Sequence, residues 1–191
     1  MKIILASKSP RRQELLRAMG IEKFEIRPSS CETETEKGIP PEEMVSIIAC
    51  GKAEDVAKTC DDGDIVIAAD TLVYLGAEPL GKPQNAEHAA AMLRALSGRE
   101  HTVYTGVAVF RGEKKFTAAV GTKVFFRALT DAEIDAYVKT GEPMDKAGAY
   151  GIQGRGGLFV ERIDGDYSNV VGLPVCKLGQ MLMEAGYTVL G

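Results

Sequence analysis

Histidine is scarce in this chain. Only His88 and His101 occur among 191 residues, which argues against a histidine-rich metal centre. Cysteine is sparse too. Cys31, Cys50, Cys60 and Cys176 form no C-x-x-C pair, so neither a zinc site nor a redox motif is indicated, and free thiols in a reducing compartment are expected. No apolar run approaches the ~20 residues that a membrane helix needs, and the N-terminus lacks a signal peptide's apolar stretch. A cytoplasmic location with no membrane partner is therefore expected. The formal net charge of -4 argues against a nucleic-acid polymer as partner. It leaves room for a small anion, because a local cationic pocket can outweigh a modest global charge. Two familiar phosphate loops are missing: neither G-x-x-x-x-G-K-[ST] nor G-x-G-x-x-G after a strand occurs.

What is present is an ordinary globular composition, 45% hydrophobic and 26% charged, enough for a sizeable core. The length suits a single domain spanning residues 1–191, or two closely packed lobes. Ile3-Ile4-Leu5 reads as a short buried strand. Ser9 suits an N-cap and Pro10 the first position of a helix that Gly20 closes. Phe24-Glu25-Ile26 alternates like a strand. After a polar, acidic loop over 29–40, Pro41 starts a long helix with Met44, Ile47, Ile48 and Val56 on one face. Ile65 to Ala69 is a continuous apolar run of the kind found in central strands, and it ends at Asp70-Thr71. Leu72 to Leu75 continues extended. A helix over 85–96 follows, capped by Asn85 and closed by Gly98. Two long strand patterns flank Arg111-Gly112, a hairpin signal. Thr130 caps a further helix, residues 141–157 form a glycine-rich loop, Leu158-Phe159-Val160 reads as a strand, and a last helix runs from about Pro174 to Glu184. The mixed order of elements predicts an α/β fold with a long, twisted, mixed central sheet and helices on both sides.

Several segments carry chemistry. Ser7-Lys8-Ser9-Pro10-Arg11-Arg12 joins a strand end to a helix start, where hydroxyls, helix N–H groups and two guanidiniums can converge on a phosphate. Taken alone, it reads first as a capped helix with solvated arginines. Asp70 ends a buried strand, where open α/β sheets place ligand groups, or it caps a turn. Glu32, Glu34 and Glu36 in the acidic loop are candidates for a second carboxylate. Two carboxylates near phosphates suit Mg²⁺, which favours oxygen ligands and retained waters. Lys52 on its helix and Lys82 in the rigid Gly81-Lys82-Pro83 turn are further cations, although lone lysines usually face solvent. In Asp145 to Gly154, three glycines let backbone approach a ligand closely. Gln153 there carries an amide whose donor and acceptor match the O4 and N3–H of uracil or thymine, or simply faces water.

Taken together, these segments resemble the Maf-like nucleotide pyrophosphatases, a family distantly similar in fold to the inosine triphosphate pyrophosphatases. The likeness rests on five motifs, spread in order over nearly the whole chain. They are S-x-S-P-R-R from Ser7, A-A-D-T from Ala68, G-K-P from Gly81, L-S-G-R-x-H-x-V-x-T-G-V from Leu96 and A-G-A-Y-G-I-Q-G from Ala147. The resemblance implies two lobes with a cleft and cytoplasmic hydrolysis of a nucleoside triphosphate to the monophosphate and pyrophosphate. It also implies a divalent metal, Mg²⁺ or Mn²⁺, and a homodimer. The Y-G-I-Q-G form is similar to the dTTP/UTP subgroup, where the positions matching Arg12, Thr71 and Gln153 are associated with substrate choice. Asp70 matches the proposed proton acceptor and, with Glu32, the metal ligands. On this resemblance Ser7, Ser9, Arg11, Arg12, Lys52 and Lys82 hold the triphosphate. The alternative is a non-catalytic nucleotide-binding regulator of cell division (septum formation), which turnover of a nucleotide separates from the enzyme.

Overall fold

The computed structural model describes residues 1–31 and 38–190, so Glu32, Glu34 and Glu36 lie outside the described residues. The strands are β1 (Ile3–Leu5), β2 (Glu25–Ile26), β3 (Ile65–Leu75), β4 (Glu78–Leu80), β5 (Glu100–Arg111), β6 (Lys114–Phe126) and β7 (Val160–Asp164). They form one seven-stranded sheet in the order β2-β1-β3-β5-β6-β7, with β4 paired to β3. β1 runs parallel to both β2 and β3, whereas β4 is antiparallel to β3 and β7 to β6, so the sheet is mixed as expected. The helices are α1 (Pro10–Ala18), α2 (Pro41–Ala57), α3 (Ala86–Leu96), α4 (Asp131–Val138), α5 (Tyr167–Val171) and α6 (Val175–Glu184). None of the described helices is long and apolar enough to cross a membrane.

The chain divides into two compact units. The first comprises Met1–Asp70, Thr105–Val120 and Gly172–Gly191, and the second Thr71–Tyr104 and Gly121–Val171. In the first unit, strand alternation sorts the apolar runs onto two faces. Ile3, Leu5, Ile65, Ile67, Ala69, Val107 and Val109 pack with Leu16 of α1 and Leu178, Met181 and Leu182 of α6. Ile4, Val66, Ala68, Ala108 and Phe110 pack with Ala49, Ala53 and Val56 of α2. Both faces are covered, which is why these strands read as continuous apolar runs rather than alternating ones. α2 approaches β5 very closely: a Cβ on Gly106 would lie 2.0 Å from the Val45 carbonyl oxygen.

The second unit has one core. Ala89, Leu93 and Leu96 of α3 and Ile134 and Tyr137 of α4 meet Val73, Val103, Val124, Phe126, Tyr150 and Phe159. Asn85 caps α3 by accepting the His88 N–H at 2.8 Å, and Thr130 with Glu133 forms a full capping box on α4.

Three expectations need correction. Ile47 is 42% exposed. At about 100° per residue it sits roughly 160° round α2 from Ala49, the centre of the small-residue stripe that the sheet selects. Leu158 and Phe159 belong to a 3₁₀ segment, Arg155–Phe159, and the strand begins only at Val160. Phe159 is buried there by ring contacts with Tyr137 and Phe126, not by strand pairing. Ser9 does not cap α1 through its side chain. Its own N–H donates instead to Ser7 Oγ at 3.2 Å.

Candidate active site

In the first unit, β1 and β3 deliver their ends side by side: Ala6 N–H donates to the Ile67 carbonyl at 2.8 Å. Ser7 follows β1 and is buried. Its Oγ accepts from Ser9 N–H and, at 3.1 Å, from an Arg12 terminal nitrogen. Arg12 Nε donates to the Gly172 carbonyl at 2.8 Å. The guanidinium is thereby fixed between the strand end and the segment that precedes α6. Burial holds Arg12 below its ordinary pKa, the negative charge of Asp70 opposes that, and neighbouring Arg11 adds to it. Guanidinium stays charged under such pressure, so the site keeps a fixed cation that an anion would stabilise.

Asp70 sits at the point in β3 where the first unit ends, and it pairs with Lys52 through Oδ1. Both side chains are largely buried, at 18% and 23% exposure, so this is not a solvated surface pair. Lys52 lies on the flank of α2 next to its buried stripe, which turns its stem toward the sheet rather than into solvent. An ammonium has three donors, and Asp70 takes one at Lys52. Ser7, Arg12, Lys52 and Asp70 thus form one constellation of an acceptor carboxylate and two oriented cations, with Arg11 and Ser9 at the adjoining helix start. Among the described residues no group of three or more His, Cys, Asp or Glu side chains could hold a metal ion. One carboxylate beside two cations is a donor set compatible with Mg²⁺ that takes its remaining oxygen ligands from water or a bound phosphate.

Thr71, Lys82 and Gln153 belong to the second unit. Lys82 is exposed, in the turn after β4. That turn is tied to the glycine-rich loop, because Gly148 N–H donates to the Gly81 carbonyl at 3.1 Å. Gly148, at φ +70°, brings the loop so near Val73 that an added Cβ would lie 3.0 Å from its Cγ1. Gln153 is exposed on the tip of the next turn, closed by Gly154 N–H to the Gly151 carbonyl at 3.3 Å.

Sequence reasoning missed the residues that hold these groups. The Gly172 carbonyl on Arg12 carries no side-chain signature. Glu142 and Tyr137, which anchor the turn bearing Gln153, were hidden in an apparent loop and on a helix face. His101 bonds Tyr150 at 2.7 Å, directly ahead of that turn. The only available signal was the demand that loop backbone groups find partners.

A buried strand that ends in a lysine-paired carboxylate, beside a helix start with a fixed arginine, marks an α/β protein with a cationic, partly buried constellation at its strand ends. The chain belongs to the Maf-like protein family, whose model matches residues 2–185. It is 48% identical over 191 residues to a dTTP/UTP pyrophosphatase from Pelotomaculum thermopropionicum, covering 99% of each chain. It is 51% identical over 193 residues to a dTTP/UTP pyrophosphatase from Moorella thermoacetica, covering 100% of this chain and 98% of that one. Among solved structures it is similar to a HAM1 protein from Coxiella burnetii, with TM-score 0.48 and 15% identity over 96% of this chain and 99% of that one.

Proposed function

We propose that this protein is a nucleoside triphosphate pyrophosphatase that hydrolyses dTTP and UTP to the monophosphate and pyrophosphate. The observation that carries the reading is its full-length likeness, about half identical, to proteins named for that activity. The constellation around Asp70 supplies matching chemistry. Asp70 takes a proton from water as the water oxygen attacks the α-phosphorus. The bond from that phosphorus to the bridging oxygen breaks, and pyrophosphate leaves with the electron pair. Lys52 orients the Asp70 carboxylate and, with Arg11, Arg12 and Lys82, offsets the triphosphate charge. The fork of Arg12 suits bidentate contact with phosphate oxygens. Ser7 and Ser9 add hydroxyl donors. A divalent cation, when bound, lowers the pKa of a coordinated water and offsets phosphate charge. Asp70 is its ligand on this reading, with Glu32 the second candidate. Gln153 reads the base, with Thr71 and Arg12 contributing to substrate choice. An amide covered by the bound pyrimidine edge rejects a mismatched base, whose groups would leave it unsatisfied.

The test is a nucleotide panel with purified protein, with and without Mg²⁺ or Mn²⁺, resolving pyrophosphate from orthophosphate. Metal-dependent pyrophosphate release from dTTP and UTP, with little from ATP or GTP, is the expected result. Binding without turnover of any nucleotide would replace the enzyme with a regulator, and orthophosphate as the product would move the cleaved bond.

A further inference from the structure

We propose that Glu142 is the positioning residue for base selection: its carboxylate holds the turn that presents Gln153. The inference rests on the reading of Gln153 as the base-reading side chain. Its own support is the hydrogen-bonding of residues 151–156. Oε1 of Glu142 accepts from the Tyr137 hydroxyl at 2.9 Å and from Gly156 N–H at 3.2 Å. Oε2 accepts from Arg155 N–H at 3.1 Å. The Tyr137 hydroxyl in turn accepts from Gly151 N–H at 3.3 Å. Backbone amides on both sides of Gln153 therefore end on one carboxylate, either directly or through one phenol.

Glu142 is itself pinned. Its N–H donates to Thr140 Oγ1 at 3.1 Å, and its carbonyl accepts from Lys146 Nζ at 2.7 Å. Lys146 also pairs with Asp145 at 2.7 Å. Burial pushes the Glu142 carboxyl up, but the amides of Gly156 and Arg155, the Tyr137 hydroxyl and the Lys146 charge together hold it below its ordinary value. A carboxylate is acceptor-only, which is what a ring of N–H and O–H donors requires.

The glycine pattern fits the same contact. A Cβ on Gly154 would lie 2.3 Å from Glu142 Oε1, and one on Gly156 would lie 2.8 Å from the Tyr137 hydroxyl. The turn is wrapped onto the carboxylate so tightly that neither position has room for a side chain. Displacing the carboxylate removes the acceptor on which the amides on either side of Gln153 converge. A misplaced amide loses discrimination before it loses binding, because hydrogen-bond geometry is steep.

The experiment measures kcat/KM for UTP and CTP. Cytosine offers a donor at N4 and an acceptor at N3, the reverse of uracil, so the UTP:CTP ratio reads the Gln153 contact. The variants are Glu142→Gln, Gly154→Ala, Gln153→Ala and the Glu142→Gln/Gln153→Ala double. Glu142→Gln turns an amide NH₂ toward backbone N–H donors. Gly154→Ala pushes on the carboxylate from the other side and serves where Glu142→Gln folds poorly. The expected result is a fall in the UTP:CTP ratio of about tenfold in each of Glu142→Gln, Gly154→Ala and Gln153→Ala, with no further fall when Glu142→Gln is added to Gln153→Ala. A merely structural role would lower both substrates together and leave the ratio intact. An unchanged ratio in Glu142→Gln and Gly154→Ala, where Gln153→Ala changes it, overturns the role of Glu142 alone. An unchanged ratio in Gln153→Ala overturns the base-reading assignment and this inference with it.

Discussion

His101 should make the protein acid-sensitive in a window that its carboxylates cannot explain. Its ring is buried on β5, Nε2 bonds the Tyr150 hydroxyl, and the rings of Phe126 and Tyr150 stand edge-on to it at 4.9 and 5.3 Å. Among the described residues Nδ1 has no partner. Protonation would put a full charge, with both ring nitrogens as donors, against that aromatic wall. Burial accordingly lowers the pKa from 6.5 to about 4. The unfolded chain takes up this proton as pH falls through its ordinary value, while the folded chain does not. Stability is therefore fully present above pH 6.5 and is lost progressively down to about pH 4. A shift of this size corresponds to about 3 kcal/mol in total, of which roughly 2 kcal/mol is gone by pH 5. Glu133 contributes separately: Arg127 and Thr130 hold it down at about 2, so its share is lost only as pH falls below the ordinary carboxylate value of 4.5. The assay is urea unfolding of wild type and His101→Gln at pH 7.5, 6 and 5. Glutamine can meet the Tyr150 hydroxyl as donor or acceptor but does not titrate. The gap between the two proteins should shift by about 2 kcal/mol in favour of the variant between pH 7.5 and 5. A gap that stays constant with pH would refute the buried, neutral imidazole.

Three further outcomes are expected. Asp70→Asn should keep the fold and lower kcat by about 10²-fold or more, as for loss of a general base, and near wild-type turnover would sink that assignment. Gln153→Glu should weaken use of dTTP and UTP, because a donor becomes an acceptor, and kinetics with unchanged base preference would remove Gln153 from the base contact. Gly106→Ala should cost about 3 kcal/mol or more in chemical denaturation, since its Cβ would meet the Val45 carbonyl at 2.0 Å and backbone cannot step aside as a side chain can. A loss below about 1 kcal/mol would mean that α2 and β5 are not packed this closely.

How much of this was legible in the sequence follows from the range of each interaction. Helix starts were legible where the signal is local. Asn85 and Thr130 cap through residues three positions on. The Ile65–Ala69 run was legible because two-sided burial leaves no alternation to misread. Ser9 was misread because the same short stretch offers two hydroxyls, and Ser7, already buried, takes the amide. β4 is three residues long and α5 is five, too short to show a period. α5 is placed instead by Thr122, whose Oγ1 donates to the Asp166 carbonyl and accepts from Asp166 N–H, both at 3.1 Å across 44 positions of sequence. The site divides in the same way. The candidate side chains cluster in short motifs, so Ser7 to Arg12, Asp70, Lys82 and Gln153 could be proposed from their chemistry, and Thr71 through the family resemblance. The groups that aim them could not be. Arg12 is aimed by a carbonyl 160 residues away, and the turn bearing Gln153 by amides 13 and 14 residues beyond Glu142. A backbone partner leaves no residue type to recognise. It leaves only an obligation that buried N–H and C=O groups be satisfied, and the sequence shows that debt without showing which side chain answers it.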